Sequence, residues 1–363
     1  MKFVYSDQHK LHDPPKEFNS NQLLVYGESP ERAELIFSKL TNIPEFEHVK
    51  PAEFDIGQLQ KVHSPAYIEY LQNAYQDWVS EGLSKEGIMP EFFAIGHLRG
   101  KIPPSNPMAK AGYFMTDNCS MMVEGTWEAV KTSALVALTG AKLITEGEKY
   151  AFSLCRPPGH HAGYDFAGGY CFLNNAALAA KYLQDNGQLN LNSEKKTGIF
   201  DIDFHHGNGT QDIVRHLENI LLISIHGHPY FEYPYFMGYS SENTGNIINY
   251  PLLPGANDEE YFETFKQAVA KFKEYGITNL VVSLGVDTYE HDHLGSFNLT
   301  AAIYERLSSY IIHELDIPVL IVMEGGYNND SLAENVVSFL RPFNRSTETL
   351  SIFFNLSTNP AST

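Results

Sequence analysis

Five short runs between residues 150 and 325 are apolar on successive rather than alternate positions: 150–155, 198–202, 220–225, 280–284 and 318–323. A strand covered on one face alternates and one covered on both does not, so these runs predict buried strands of a parallel sheet. Between them, 174–184, 258–275 and 300–315 carry apolar residues at three- and four-residue spacing, which predicts helices with one buried face, Asp258 and Thr300 being the expected N-caps. Strand, crossover helix, strand gives an α/β class, a mostly parallel sheet between helical layers. Such sheets bind ligands beyond the carboxyl ends of their strands.

The first 120 or so residues differ. Segments 31–40 and 56–75 predict helices, while the Pro-rich stretch 90–107 predicts an extended surface loop. No Gly/Ser-rich or charged spacer, internal repeat or low-complexity tract divides the chain. Residues 1–363 are therefore expected to form one domain with an elaborated N-terminal half and a Pro-rich loop at about 90–115. The Asn-, Ser- and Thr-rich tail after Phe343 is expected to be peripheral.

Composition narrows the class. Of 363 residues, 43% are hydrophobic and 13% aromatic, enough for a sizeable core. With 25 Lys+Arg against 44 Asp+Glu, the formal net charge is −19. That argues against nucleic-acid binding through a basic footprint and favours a cationic small molecule or a Lys-rich peptide as partner. The three cysteines, Cys119, Cys155 and Cys171, lack Cys-x-x-Cys spacing, so neither a disulfide framework nor a cysteine zinc knuckle is expected. A polar N-terminal start, with no apolar run near ~18 residues, points to the reducing cytoplasm and away from membranes.

Four of the strands end in residues suited to one chemistry. The strand 198–202 runs into Asp201-Ile-Asp203-Phe-His205-His206-Gly-Asn208-Gly-Thr-Gln211; where the chain stays extended, Asp201, Asp203 and His205 project from one face, so a carboxylate and an imidazole can converge on one cation. The strand 280–284 supplies Asp287 as a third ligand, and three ligands leave the open position that a catalytic zinc requires. After 150–155 comes Arg156-Pro-Pro-Gly-His160-His161-Ala162, two proton carriers whose pKa values different partners can separate, with Asp201 and Asn208 as candidate orienters. After 318–323 comes Glu324-Gly-Gly-Tyr327-Asn328, where Tyr327 offers a hydroxyl to a developing oxyanion.

Taken with Gly168-Gly-Tyr-Cys-Phe-Leu-Asn-Asn175 and Gly285-Val-Asp-Thr288, these motifs resemble the histone deacetylase superfamily, most nearly its bacterial acetylpolyamine amidohydrolases and class II deacetylases. The resemblance covers nearly the whole chain. It implies the arginase/deacetylase fold with zinc held by Asp203, His205 and Asp287. It also implies His161 as general base and then general acid, His160 as electrostatic support paired with Asp201, and Tyr327 polarising the acetyl carbonyl. A structural potassium ion would sit at Asp201 and backbone groups near Asp203, His205, Ser224 and Ile225. Asn208 stands where many class I enzymes have Asp, and an amide there should leave His161 less favoured as imidazolium. Tyr170 and Tyr233 match the paired aromatic walls of a narrow tunnel for an acyl-amine stem.

Met108 aligns where the polyamine enzymes carry an acidic residue that selects the distant ammonium, and no Glu or Asp occurs between Lys101 and Asp117. Short acetylated diamines and acetyl-lysine thus join acetylated polyamines as expected substrates, with protein acetyl-lysine deacetylation as the alternative function. The Pro-rich stretch matches a family insertion that shapes the tunnel and a homodimer contact. An arginase-like ureohydrolase would need a second manganese and more bridging ligands, and a silent binding protein would have lost a ligand, base or tyrosine.

Overall fold

The computed structural model describes residues 1–19, 21–96, 99–187 and 195–345, so the tail expected to be peripheral falls almost wholly outside the described residues. In chain order the strands are β1 (Lys2–Val4), β2 (Glu17–Asn19), β3 (Gln22–Leu24), β4 (Glu47–Val49), β5 (Tyr150–Ser153), β6 (Thr197–Asp201), β7 (Ile220–Gly227), β8 (Ile247–Leu252), β9 (Asn279–Leu284) and β10 (Val319–Met323). The helices are α1 (Pro30–Thr41), α2 (Pro65–Ser80), α3 (Pro107–Phe114), α4 (Thr126–Thr145), α5 (Asn175–Asn186), α6 (Asn208–Val214), α7 (Asp258–Tyr275), α8 (Ala301–Glu314) and α9 (Asn329–Leu340).

Eight strands form one parallel sheet in the order β4, β1, β5, β10, β9, β6, β7, β8, while β2 and β3 pair as a separate antiparallel hairpin. Successive residues of the central strands enter different cores, which is why their apolar runs do not alternate. Phe200, Ile223, Val282 and Ile321 pack with Phe265 and Phe272 of α7, Leu307 of α8 and Val336 of α9. On the opposite face Ile199, Leu222, Val281 and Leu320 meet Ala137 and Ala141 of α4 and Ala179 and Ala180 of α5. A third cluster, built on α2, α3 and α4, underlies the Pro-rich segment.

Two local expectations are corrected and a third is met in part. Segment 56–75 is not one helix: a 3-10 turn, Ile56–Lys61, is separated from α2, which starts at Pro65 with the Ser64 side chain accepting from the Tyr67 N–H. Pro at the first helical position costs no hydrogen bond, so the break falls there. The cap of α7 is Asn257, whose Oδ1 accepts from the N–H groups of Glu259 and Glu260; Asp258 is already helical. Thr300 is the N-cap residue of α8 as expected, although its hydroxyl donates to Asp258 Oδ2 at 2.6 Å and makes no capping bond to its own helix.

The sheet order positions the site. β5, β10, β9 and β6 are neighbours, so the loops after them, 156–161, 324–328, 285–287 and 202–208, meet at one carboxyl edge although up to 172 positions separate Arg156 from Asn328.

Candidate active site

Asp203, His205 and Asp287 each place a ligand atom within 4.8 Å of the others. His205 Nδ1 lies 3.4 Å from Asp203 Oδ1 and 3.1 Å from Asp287 Oδ2. Backbone amides aim both carboxylates: Asp203 accepts from the N–H of His205 (2.8 Å) and of Gly325 (2.8 Å), and Asp287 from that of Phe204 (3.0 Å). A Cβ at Gly325 would overlap Asp203 and Asp287, and one at Gly285 would overlap Asp203, so the two glycines open the space the donors share. Two buried carboxylates and an imidazole form a set suited to a divalent cation such as zinc.

The route to that convergence differs from simple strand alternation. β6 ends at Asp201, and the bend that follows sends the three side chains to two places. Asp203 and His205 turn to Asp287, whereas Asp201 Oδ2 lies 3.1 Å from His160 Nδ1.

The two histidines have rings 4.0 Å apart and opposite electrostatic surroundings. Burial works against a charge on His160, but Asp203 and Asp201 outweigh it and lift its pKa to about 10. For His161, burial and then the neighbouring His160 charge push the pKa well below the ordinary value. His161 Nδ1 lies 2.7 Å from Asn208 Oδ1, so a neutral ring donates there and keeps its Nε2 lone pair free. Asn208→Asp would put a carboxylate beside Nδ1 and raise the His161 pKa. Because a base must be neutral to accept a proton, the acid limb of kcat/KM should then move to higher pH by about one unit or more. A pH–rate profile unchanged by the substitution would contradict this pairing.

Tyr327 is 9% exposed and its ring centroid is 5.8 Å from that of Tyr170. Burial raises its pKa, which keeps the phenol a neutral donor. Tyr233 stands edge-on to His161 at 4.9 Å. Tyr170, held at φ 67°, thus stands beside Tyr327, and Tyr233 beside His161.

A family model described as the histone deacetylase domain matches residues 26–342. The chain belongs to the histone deacetylase family. It is 38% identical to acetylpolyamine amidohydrolase 2 of Pseudomonas aeruginosa over 348 residues, 94% of this chain and 98% of that one. Against the acetylpolyamine amidohydrolase of Mycoplana ramosa it is 37% identical over 346 residues, covering 94% and 99%. A crystal structure of the acetylpolyamine aminohydrolase from Burkholderia pseudomallei superposes with a TM-score of 0.87 at 31% identity, covering 94% and 98%.

Within this deacetylase chain, Met108 does not join the tyrosines: it sits half-buried in the first turn of α3 and packs against the cluster of α2, α3 and α4. The carboxylates beside the walls come from elsewhere. Glu17, on β2, accepts from the Tyr170 hydroxyl (2.9 Å), and Asp117 accepts from the Tyr233 hydroxyl (2.8 Å) and the Gly169 N–H (2.7 Å). Neither acid stands in a readable spacing. Glu324 is visible in the sequence as part of Glu-Gly-Gly-Tyr, but its role is not. Buried, it accepts from the N–H groups of Gly159 (2.6 Å) and His160 (3.1 Å), joining the histidine loop to β10. Arg32 donates to the carbonyls of Gly326 (2.6 Å) and Glu324 (2.8 Å), pairs with Glu28 and lies 4.7 Å over the Tyr327 ring.

Proposed function

We propose that this chain is one catalytic domain that hydrolyses the N-acetyl amide of acetylated polyamines or diamines with zinc, releasing acetate and the free amine. The observation that carries the reading is the convergence of Asp203, His205 and Asp287 within 4.8 Å of one another, beside two histidines whose rings are 4.0 Å apart and which face Asp201 and Asn208. Zinc bound by Asp203, His205 and Asp287 would polarise the acetyl carbonyl and acidify water. His161, neutral at the start, takes the proton from the attacking water and passes it to the departing amine. His160 stays charged beside Asp201 and favours the negative charge that builds on the acyl group. Tyr327 donates its hydroxyl to the carbonyl oxygen, while Tyr170 and Tyr233 flank the aliphatic stem and keep water from it.

The amine's cationic end is supported by the net charge of −19 and by Glu17 and Asp117 behind the two walls. The names of the similar proteins point to the same substrate class. Three further parts of the reading rest on separate observations. β6 pairs Asp201 with Ser224, in line with a structural potassium there. Exposed Phe92, Phe93, Ile95 and Ile102 on the Pro-rich segment, with Tyr230, Phe231, Tyr235 and Phe236, are the kind of apolar surface that a homodimer covers. Three free cysteines suit a reducing cytoplasm, and no described helix is long and apolar enough to cross a membrane.

The test is acetate release by the zinc-loaded protein from acetylputrescine, acetylcadaverine, an acetylated spermidine and an acetyl-lysine peptide. The small amines are expected to exceed the peptide in kcat/KM by about tenfold or more, a difference of ~1.4 kcal/mol in transition-state binding. A peptide preference would replace this reading with protein deacetylation. Binding without acetate release would leave only a binding protein.

A further inference from the structure

Tyr327 must hold one hydroxyl where charge develops, yet it follows Gly325 and Gly326, the latter at φ 128°, so its own backbone offers little restraint. The restraint comes from the loop that follows β9 and Asp287. Asp292, 6% exposed, lies in this loop, and its Oδ2 accepts from the N–H of Tyr327 (2.6 Å) and of Asn328 (3.0 Å). Its Oδ1 accepts from the N–H of Leu294 (3.0 Å), which fixes the carboxylate in turn. Asn328 Nδ2 donates back to the His291 carbonyl (2.7 Å), so the two loops are joined in both directions. Among the described residues Asp292 forms no ion pair; its capacity goes to backbone N–H groups.

We propose that Asp292 is a positioning residue for the Tyr327 hydroxyl, clamping the amides at and after Tyr327 to the loop that carries Asp287. This rests on the reading of Tyr327 as the oxyanion donor. The clamp is more than a helix cap, because α9 has its own: Asn328 Oδ1 accepts from the Ser331 N–H, and the Tyr327 amide lies upstream of the helix. Arg32 reaches the same segment through the Gly326 carbonyl and the Tyr327 ring, so the tyrosine is held by a cation at its ring and an anion at its amide. Tying the Tyr327 loop to the Asp287 loop keeps hydroxyl and metal donors at a constant separation. A misplacement of about 1 Å in such a constellation costs roughly 10²-fold in rate.

The experiment places Asp292→Ala and Asp292→Asn in the native and Tyr327→Phe backgrounds, and reads kcat, KM, bound zinc and thermal midpoint. In the native background Asp292→Ala is expected to lower kcat by about 30-fold or more, with KM within about 3-fold and zinc retained. Asp292→Asn, whose amide oxygen can still accept from Tyr327 and Asn328 although its NH2 then faces the Leu294 N–H, should recover kcat to within about 10-fold of native. In the Tyr327→Phe background Asp292→Ala should cost less than about 3-fold, since the hydroxyl it positions is gone. Equal losses in both backgrounds would overturn the clamp alone. Full activity of Tyr327→Phe would overturn the reading of Tyr327 and the clamp with it. Should Asp292→Ala fail to fold, a large kcat loss in a folded, zinc-bound Asp292→Asn variant would equally overturn the clamp.

Discussion

Tyr327→Phe is expected to lower kcat by about 10²- to 10³-fold, the usual cost of removing one oxyanion donor, with bound zinc and the fold unchanged. The substitution deletes one oxygen from a ring that keeps its neighbours: Arg32 at 4.7 Å, Tyr170 at 5.8 Å and the backbone bonds to Asp292. Because the hydroxyl matters most as the carbonyl oxygen gains charge, the loss should fall on kcat and leave KM near native. Steady-state acetate release together with zinc analysis of the purified variant checks this. A variant within a few-fold of native kcat would remove Tyr327 from the reaction.

Asp203→Asn is expected to weaken zinc binding by at least roughly 10² and to lower activity with it. Asp203 is fully buried and does more than supply a ligand atom: its two oxygens accept from the N–H groups of His205 and Gly325, and its charge lies 3.7 Å from His160 Nε2. The amide keeps the shape but has no charge to give the metal or His160. Removing one charge from a buried set of this kind costs about 3 kcal/mol or more, equivalent to at least roughly 10² in affinity. Elemental analysis and a zinc titration of the folded variant give the result directly. Native stoichiometry at native affinity would show that the cation is held by other residues.

The central strands and the motifs at their ends could be read from the chain because a strand buried on both faces cannot hide its apolar run. Very short strands and edge strands could not. β1 and β4 have three residues each, too few for a pattern, and β8 contains Asn249 and Pro251, which read as loop. An edge strand tolerates proline because one side of it needs no partner, so the usual strand signal is weakest there. Glu17, Asp117 and Asp292 were invisible for a different reason. Glu17 meets Tyr170 across 153 positions, and Asp117 meets Tyr233 across 116. An isolated acid in a loop has the same appearance whether it is solvated or holds a wall in place.

Identity and local order of the chemical groups belong to the sequence alone: which strands are buried, which of their ends carry Asp, His and Tyr, and that Asn rather than Asp follows the second His-Gly pair. The tertiary structure decides how those groups combine. Hydrogen bonding puts β5, β10, β9 and β6 side by side, and no local pattern in an apolar run states which other run it will pair with. It also makes His160 and His161 unlike. The two are the same side chain on adjacent residues, so only their partners, Asp201 and Asp203 for one and Asn208 and the neighbouring imidazole for the other, separate their preferences for charge.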